Sequence, residues 1–352
     1  MAPSLRLNKR ALKALDSIRS TFAGDVGTAI FSGLGVVALA WLVFLGIQSP
    51  SGLFQTLVIG VADGSIYALI ALGYTMVYGI IELINFAHGD IFTLGAFLAV
   101  PILGFFGITD TVPFTPVILA ILVVTVIVVM LLNGLINITI ERIAYRPLRN
   151  APRLAPLITA IGMSFILEGL MFIWRGPFNL IFPDLIPDTQ FTFGAYSIGV
   201  KDIFVVVTAL ILVTILSLFI ARTKLGKAMR ATAQDKQAAQ LMGINIDRTI
   251  AATFFIGAAL AGAGGVIYGL YFNTIRFDLG FSAGLIAFTA AVFGGIGNIQ
   301  GAALGGLLIG IIQAASDRYI SGSWTNVVIF GILILVLVVR PTGLLGMRVP
   351  EK

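Results

Sequence analysis

The chain has 352 residues, of which 58% are hydrophobic and 11% charged, and its mean hydropathy is +1.04; a water-soluble domain carries about 25% charged residues. That shortage predicts an all-α polytopic membrane protein, and the short alternating segments of a membrane β-barrel are absent. The formal charge of +6 falls in loops between apolar runs, where it orients a membrane protein, so no nucleic-acid partner is expected. Zero cysteines rule out disulfides, thiolate metal sites and Cys nucleophiles, and a lone His88 rules out a multi-His metal site.

Residues 1–27 hold five basic residues and no long apolar core. Leu5, Leu12, Leu15, Ile18 and Phe22 recur at near-helical spacing, so this segment reads either as an amphipathic helix lying on the membrane or as a disordered basic tail. Thr28–Gln48 is long enough to span, since about 20 residues cross the hydrocarbon, and is read as a retained first helix. Further spans are predicted at Phe54–Gly79, Asp90–Phe106, Thr115–Ile138, Leu154–Trp174, Asp202–Ala221, Ile250–Phe272 and Trp324–Val339. Between the last two lies a Gly-interrupted stretch, Phe281–Ala315. Basic residues cluster in the N-terminal tail, in 139–153 (Arg142, Arg146, Arg149, Arg153), in 222–248 and in the C-terminal tail, whereas 175–201 holds only Arg175 and Lys201. Placing the N-terminus in the cytoplasm puts these clusters inside. Parity then requires Phe281–Ala315 to enter and return, as two spans or as a re-entrant pair hinged near Gly297-Asn298. The expectation is eight spanning helices plus a broken pair, with both termini cytoplasmic: a basic segment 1–27, a membrane domain 28–340 with a cytoplasmic loop 222–248, and a tail 341–352.

Intramembrane charge costs roughly 2.5–3.5 kcal/mol on insertion scales and faces a bundle interior or a cavity. Asp63, Glu82, Asp90 and Glu168 are therefore candidates for a polar pathway. Glu82, Asn85, His88 and Asp90 crowd the run IIELINFAHGD around a helix break. The bland alternative is a structural turn, with Asn85 and Asp90 capping half-helices and His88 bonded to backbone. Small residues repeat at four-residue spacing: Gly257, Ala261 and Gly265; Gly297, Gly301 and Gly305; Gly306 and Gly310. Such stripes let membrane helices approach closely and read as packing surfaces rather than ligand contacts.

The run from Arg222 to Arg248 carries six basic residues against Asp235 and Asp247. Lys224 to about Met242 is rich in helix formers and reads as one helix stopped by Gly243. Ile244-Asn245-Ile246 then turns the chain, and Asp247 is placed to N-cap the next membrane helix. No phosphate-binding G-x-x-x-x-G-K-[ST] and no H-E-x-x-H is present, no His stands near a G-x-S-x-G, and enzymatic activity is not expected.

Gln237-Ala238-Ala239-Gln240-Leu241-Met242-Gly243 resembles the E-A-A-x-x-x-G loop of ABC importer permeases, with Gln for Glu. The longer runs GKAMRATAQDKQAAQLMGINIDRTIAATFFIGAALAG, GSIYALIALGYTMVYGIIELINFAHGDIFTLGAF, ERIAYRPLR, AFTAAVFGGIGNIQGAALGGLLIGI and RPTGLLG resemble the LivH-type permeases of branched-chain amino acid importers, from about Leu53 to Gly346. The resemblance implies a bacterial inner-membrane subunit with no cofactor of its own. Its expected partners are a second related permease, two cytoplasmic ATPases that bind ATP and Mg, and a periplasmic or lipid-anchored amino acid binding protein. Carried onto this chain, Gln237, Ala238, Ala239 and Gly243, with Lys227 and Arg230 ahead of them, lie in the ATPase-contacting segment. The Gln-for-Glu departure removes any salt bridge from that position. Branched-chain amino acids are the implied substrates, with urea or short amides as alternatives within the superfamily. A secondary transporter driven by an ion gradient also uses broken helices at membrane depth, but has no evident need of the 222–248 loop. A third alternative, a passive channel, would give flux without an energy source.

Overall fold

The computed structural model describes residues 25–82, 84–149, 151–152 and 154–346. The amphipathic helix expected in the N-terminal segment falls almost wholly on residues 1–24, which, like Arg153 and residues 347–352 of the tail, lie outside the described residues.

In hydrocarbon each backbone N–H and C=O must be satisfied within the chain, so the apolar runs fold as helices: α1 (Asp25–Gln48), α2 (Pro50–Ile81), α3 (His88–Phe105), α4 (Pro116–Ile140), α5 (Leu154–Arg175), α6 (Val200–Arg222), α7 (Lys224–Gln234), α8 (Lys236–Leu241), α9 (Ile246–Phe272), α10 (Leu279–Gly294), α11 (Ile299–Ser316) and α12 (Gly322–Val339). Seven helical stretches among the described residues are long and apolar enough to cross a membrane, and the chain is a polytopic membrane protein. Not all of it is helical: Leu180–Ile181 (β1) pairs with Thr274–Ile275 (β4), and Gln190–Phe193 (β2) forms a hairpin with Tyr196–Gly199 (β3). These strands lie in polar connections, outside the apolar runs where the backbone must close on itself.

The loops collect at two ends. At one end a cavity is bounded by Glu82, by 141–149 and by 236–247, and the Leu344 N–H donates to the Phe293 carbonyl at 2.8 Å. At the other, Phe182 N–H donates to the Asn273 carbonyl at 3.0 Å, Lys201 meets Asp184 and Asp188 at 3.0 and 2.7 Å, and Arg318 reaches Gln55 at 3.2 Å. The basic clusters of 142–149 and 222–248 share the first end, called here the basic end. Phe281–Ala315 is broken at 295–298, where Gly295 and Gly297 have φ of +113° and +90° and the Asn298 side chain accepts from the N–H groups of Gln300 and Gly301 at 3.0 and 3.2 Å. α10 and α11 are therefore antiparallel, and a π-helical turn at Asp317–Ser321 leads into α12. The segment after α12 returns to the 293–298 turn, and Asn298 Nδ2 donates to the Leu345 carbonyl at 2.8 Å.

α2 and α9 form the middle of the bundle, with 72% and 78% of their spanning windows buried, against 22% for α5 and for α6. α2 packs most extensively on α11, because both present glycines: a Cβ on Gly60 would meet Ile311, one on Gly64 would meet Leu307, and one on Gly306 would meet Ala68. Gly265 abuts Phe92 backbone, a Cβ on Gly257 would stand 3.4 Å from Gly73, and Gly301 and Gly305 seat the α10 backbone. Gly297 does not belong with them. A Cβ there would meet nothing within 4 Å; its positive φ serves the turn, since only glycine adopts that conformation without steric cost. Polar side chains cross-link α4 to the core: Asn133 Nδ2 donates to the Ile91 carbonyl and Asn137 Nδ2 to the Phe254 carbonyl, both at 2.8 Å.

Candidate functional site

α2 ends where Glu82 takes a left-handed conformation, φ +56°, and its N–H closes on the Tyr78 carbonyl at 2.8 Å. Residues 84–87 are non-helical, and α3 begins at His88. This break is buried: Asn85 is 1% exposed, and His88 and Asp90 are fully covered. The capping roles considered for Asn85 and Asp90 are not what the structure shows. The N-cap position of α3 is Ala87, with no side-chain cap bond. The Asn85 Oδ1 instead accepts the Tyr145 hydroxyl at 2.7 Å, and Asp90 accepts the Ser164 hydroxyl from α5 at 2.5 Å. Glu168, one turn beyond Ser164 and half-buried, faces the Asp90 charge. Asp90 Oδ1 and Asn85 Nδ2 have no hydrogen-bond partner among the described residues. His88 is packed closely, with the Ile70 backbone beside its ring. Its ring fills the space that a Cβ on Gly73 would take and stands edge-on to Tyr74 at 4.8 Å.

The predicted pathway residues are thus divided. Asn85 and Asp90 form a buried polar column with Tyr145 and Ser164, half-buried Glu168 lies beside it, and Glu82 is exposed at the mouth of the basic-end cavity. Asp63 stands apart, about 15 Å along α2 from the Gly73–His88 contact at 1.5 Å per residue. It is buried, its Oδ1 unpartnered, near Tyr67 and the Tyr271–Asp202 pair, which is closed at 2.7 Å.

The cavity at the basic end measures about 950 Å³. Ile81, Ile84, Leu157, Ile250 and Phe254 supply apolar wall, and Tyr145 lies at its inner side; the mouth carries Arg146, Arg149, Lys236 and Gln237. The α7–α8 segment is thereby part of the same site.

That segment departs from the single helix expected. Asp235 has φ −153°, ends α7 and starts α8, its carboxylate accepting from the N–H groups of Gln237 and Ala238 at 2.8 and 3.0 Å. Aspartate satisfies free N–H groups at a helix start better than it tolerates a helix interior, so the run divides there. Gly243 does stop α8 with φ +82°, its N–H donating to the Gln240 carbonyl at 3.0 Å. The N-cap of α9 is Asn245, accepting from the Arg248 N–H at 3.0 Å, and not Asp247. Asp247 instead binds Arg146 and Arg149. Lys227, Gln237 and Ala238 are exposed, Ala239 is buried, and Arg230 donates to the Ile220 carbonyl at the end of α6. Leu241 and Met242, 88% and 83% exposed, form an apolar tip.

Tyr145, Ser164, Arg146, Arg149 and Asp247 escaped the sequence reading as site residues. Glu141, Tyr145 and Arg149 do recur at four-residue spacing, as do Ser164 and Glu168, but only the contacts show what each faces.

A bundle of membrane helices, a buried polar column and a cavity open at one end define a membrane transport domain. Comparison with known proteins is specific. The family described as "Branched-chain amino acid transport system / permease component" matches residues 56–337. The high-affinity branched-chain amino acid transport system permease protein BraD of Pseudomonas aeruginosa is 45% identical over 85% of this chain and 97% of its own. LivH of Escherichia coli is 44% identical over 83% and 95%. A shorter similarity, 30% over 37% of this chain and 41% of the other, extends to the probable branched-chain amino acid transport permease protein LivM of Methanocaldococcus jannaschii. The chain belongs to the branched-chain amino acid transport permease family, whose members are transporter subunits and not enzymes.

Proposed function

We propose that this chain is the membrane permease of an ATP-driven importer, carrying leucine, isoleucine, valine or related neutral amino acids inward across the bacterial cytoplasmic membrane. The observation that carries this reading is the near full-length identity to permeases of that transport class. The basic end faces the cytoplasm, in keeping with the positive-inside rule, and both termini lie on that side. The α7–α8 segment, with exposed Gln237, Ala238, Leu241 and Met242, then docks on an ATPase subunit that binds ATP and Mg. A second permease, of this kind or of the LivM kind, two ATPases and a periplasmic amino acid binding protein complete the assembly.

Chemistry supports a zwitterion with an apolar side chain. The column offers acceptors at Asp90 and Glu168 for an ammonium and a free donor at Asn85 for a carboxylate, and the cavity walls are aliphatic and aromatic. The test is uptake of labelled leucine into vesicles holding the assembled complex, with ATPases and binding protein added or omitted. Uptake that ignores ATP and requires an ion gradient would overturn the reading.

A further inference from the structure

The run Glu141–Arg149 (ERIAYRPLR) continues α4 without a break, yet it belongs neither to the bundle wall nor to the α7–α8 segment. Its backbone is irregular: a π-helical turn at Glu141–Tyr145 followed by a 3-10 turn at Arg146–Leu148. The irregularity places three functions on one short segment. Glu141 is 1% exposed, and a covered carboxylate requires a paired partner; that partner is Arg149. The other terminal nitrogen of Arg149 reaches Asp247 Oδ1 at 2.5 Å, while Arg146 takes the second oxygen of the same carboxylate. Asp247 is the second residue of α9, two after the Asn245 cap and six after the end of α8 at Leu241. Between these charged residues, Tyr145 is buried, lies 5.6 Å from the Phe254 ring and donates to Asn85. Tyr145 and Phe254 line the cavity; Asn85 lies behind them.

We propose that Glu141–Arg149 is a clasp that transmits movement of the α7–α8 segment to the floor of the cavity. Displacement of that segment shifts Asp247, Asp247 draws Arg146 and Arg149, and Tyr145 leaves Asn85, opening the cavity toward Asp90 and Ser164. Arg146, Arg149 and Asp247 are positioning residues that act through Tyr145. The inference rests on the transporter reading. It is not an argument from stability, because Asp247 is half-exposed and such pairs add little to folding. What distinguishes the network is connection: residues about 100 positions apart in sequence are joined through three contacts to the helix break.

The experiment compares the assembled wild-type complex with Asp247→Asn, Asp247→Glu, Tyr145→Phe and the double variant Asp247→Asn/Tyr145→Phe. In each, leucine import and ATP hydrolysis are measured in the same vesicles. The ratio of leucine imported to ATP hydrolysed is expected to fall about tenfold in Asp247→Asn and in Tyr145→Phe, and to recover to within about twofold of wild type in Asp247→Glu. Tyr145→Phe keeps the ring and its packing on Phe254, so it assembles even if the charge variants do not. The double variant should fall no further than the lower single, because both changes cut one chain of contacts. An unchanged ratio in Tyr145→Phe, or losses that multiply in the double variant, would overturn the clasp. Absence of ATP-dependent import in the wild type would instead overturn the transporter reading beneath it.

Discussion

Replacing Gly64 with alanine tests whether the α2–α11 contact is a backbone-to-backbone surface. A Cβ built there stands 2.7 Å from Leu307 Cα, 2.8 Å from the Gly306 carbonyl oxygen and 2.9 Å from that of Leu307. All three are main-chain atoms, so no side-chain rotation relieves the overlap. Ordinary contact begins at 3.4 Å, and the helices must part by about 0.7 Å, the difference between 3.4 and 2.7 Å. Overpacking of this kind costs about 1–3 kcal/mol. Alanine's better helix propensity returns about 1 kcal/mol, leaving a net loss of up to about 2 kcal/mol. The control is Gly331→Ala on α12, where a Cβ would meet nothing within 4 Å and the propensity gain stands alone. Thermal denaturation of the two purified variants, followed as the fraction remaining monodisperse in detergent, should place Gly64→Ala several degrees below wild type and Gly331→Ala at or above it. If Gly64→Ala melts at or above wild type, the close approach of these helices is not a constraint on the fold and the reasoning fails.

Gly243→Val should leave membrane insertion intact but impair ATP-driven import, because φ of +82° is costly for a β-branched residue; import is measured against the amount of protein in the membrane. Asp90→Asn, Ser164→Ala and Glu168→Gln should each lower import by about tenfold or more, and normal import with normal ATPase stimulation by loaded binding protein in all three would remove the column from the pathway. Asn133→Ala should lower stability by about 0.6 kcal/mol, the average for interhelical hydrogen bonds in membranes, and by no more than about 1.7 kcal/mol, since it deletes the 2.8 Å bond to the Ile91 carbonyl; thermal denaturation in detergent measures the loss.

Much of the site was partly legible. The run IIELINFAHGD announced a broken helix with polar residues at membrane depth, and the break is there, at Glu82 and over 84–87. Its partners were not legible. Asn85 meets Tyr145, 60 positions away, and Asp90 meets Ser164, 74 positions away; a sequence lists both residues of each pair but says nothing of which helices are neighbours. The same holds for Asp63, which shares a residue type with Asp90 and yet lies on a different helix, near Tyr67 and the Tyr271–Asp202 pair. Within the α7–α8 segment, composition correctly pointed to helix and to a stop at Gly243. The division at Asp235 was not legible, and the exchange of roles between Asn245 and Asp247 depended on Arg146 and Arg149 lying within reach of Asp247.

By itself the sequence determined that this is a polytopic membrane protein, where its helices begin and end to within a few residues, and the family it belongs to. Those properties are local: apolar runs must satisfy their own backbone in lipid, and motif residues are read in order along the chain. Only the tertiary structure decided that Gly301 and Gly305 seat the α10 backbone, that Asp247 binds two arginines rather than capping a helix, and that one cavity is lined both by the α7–α8 segment and by the break before α3. Each of these depends on which helix faces which, and a protein's neighbours across a bundle are set by packing among all of its helices at once.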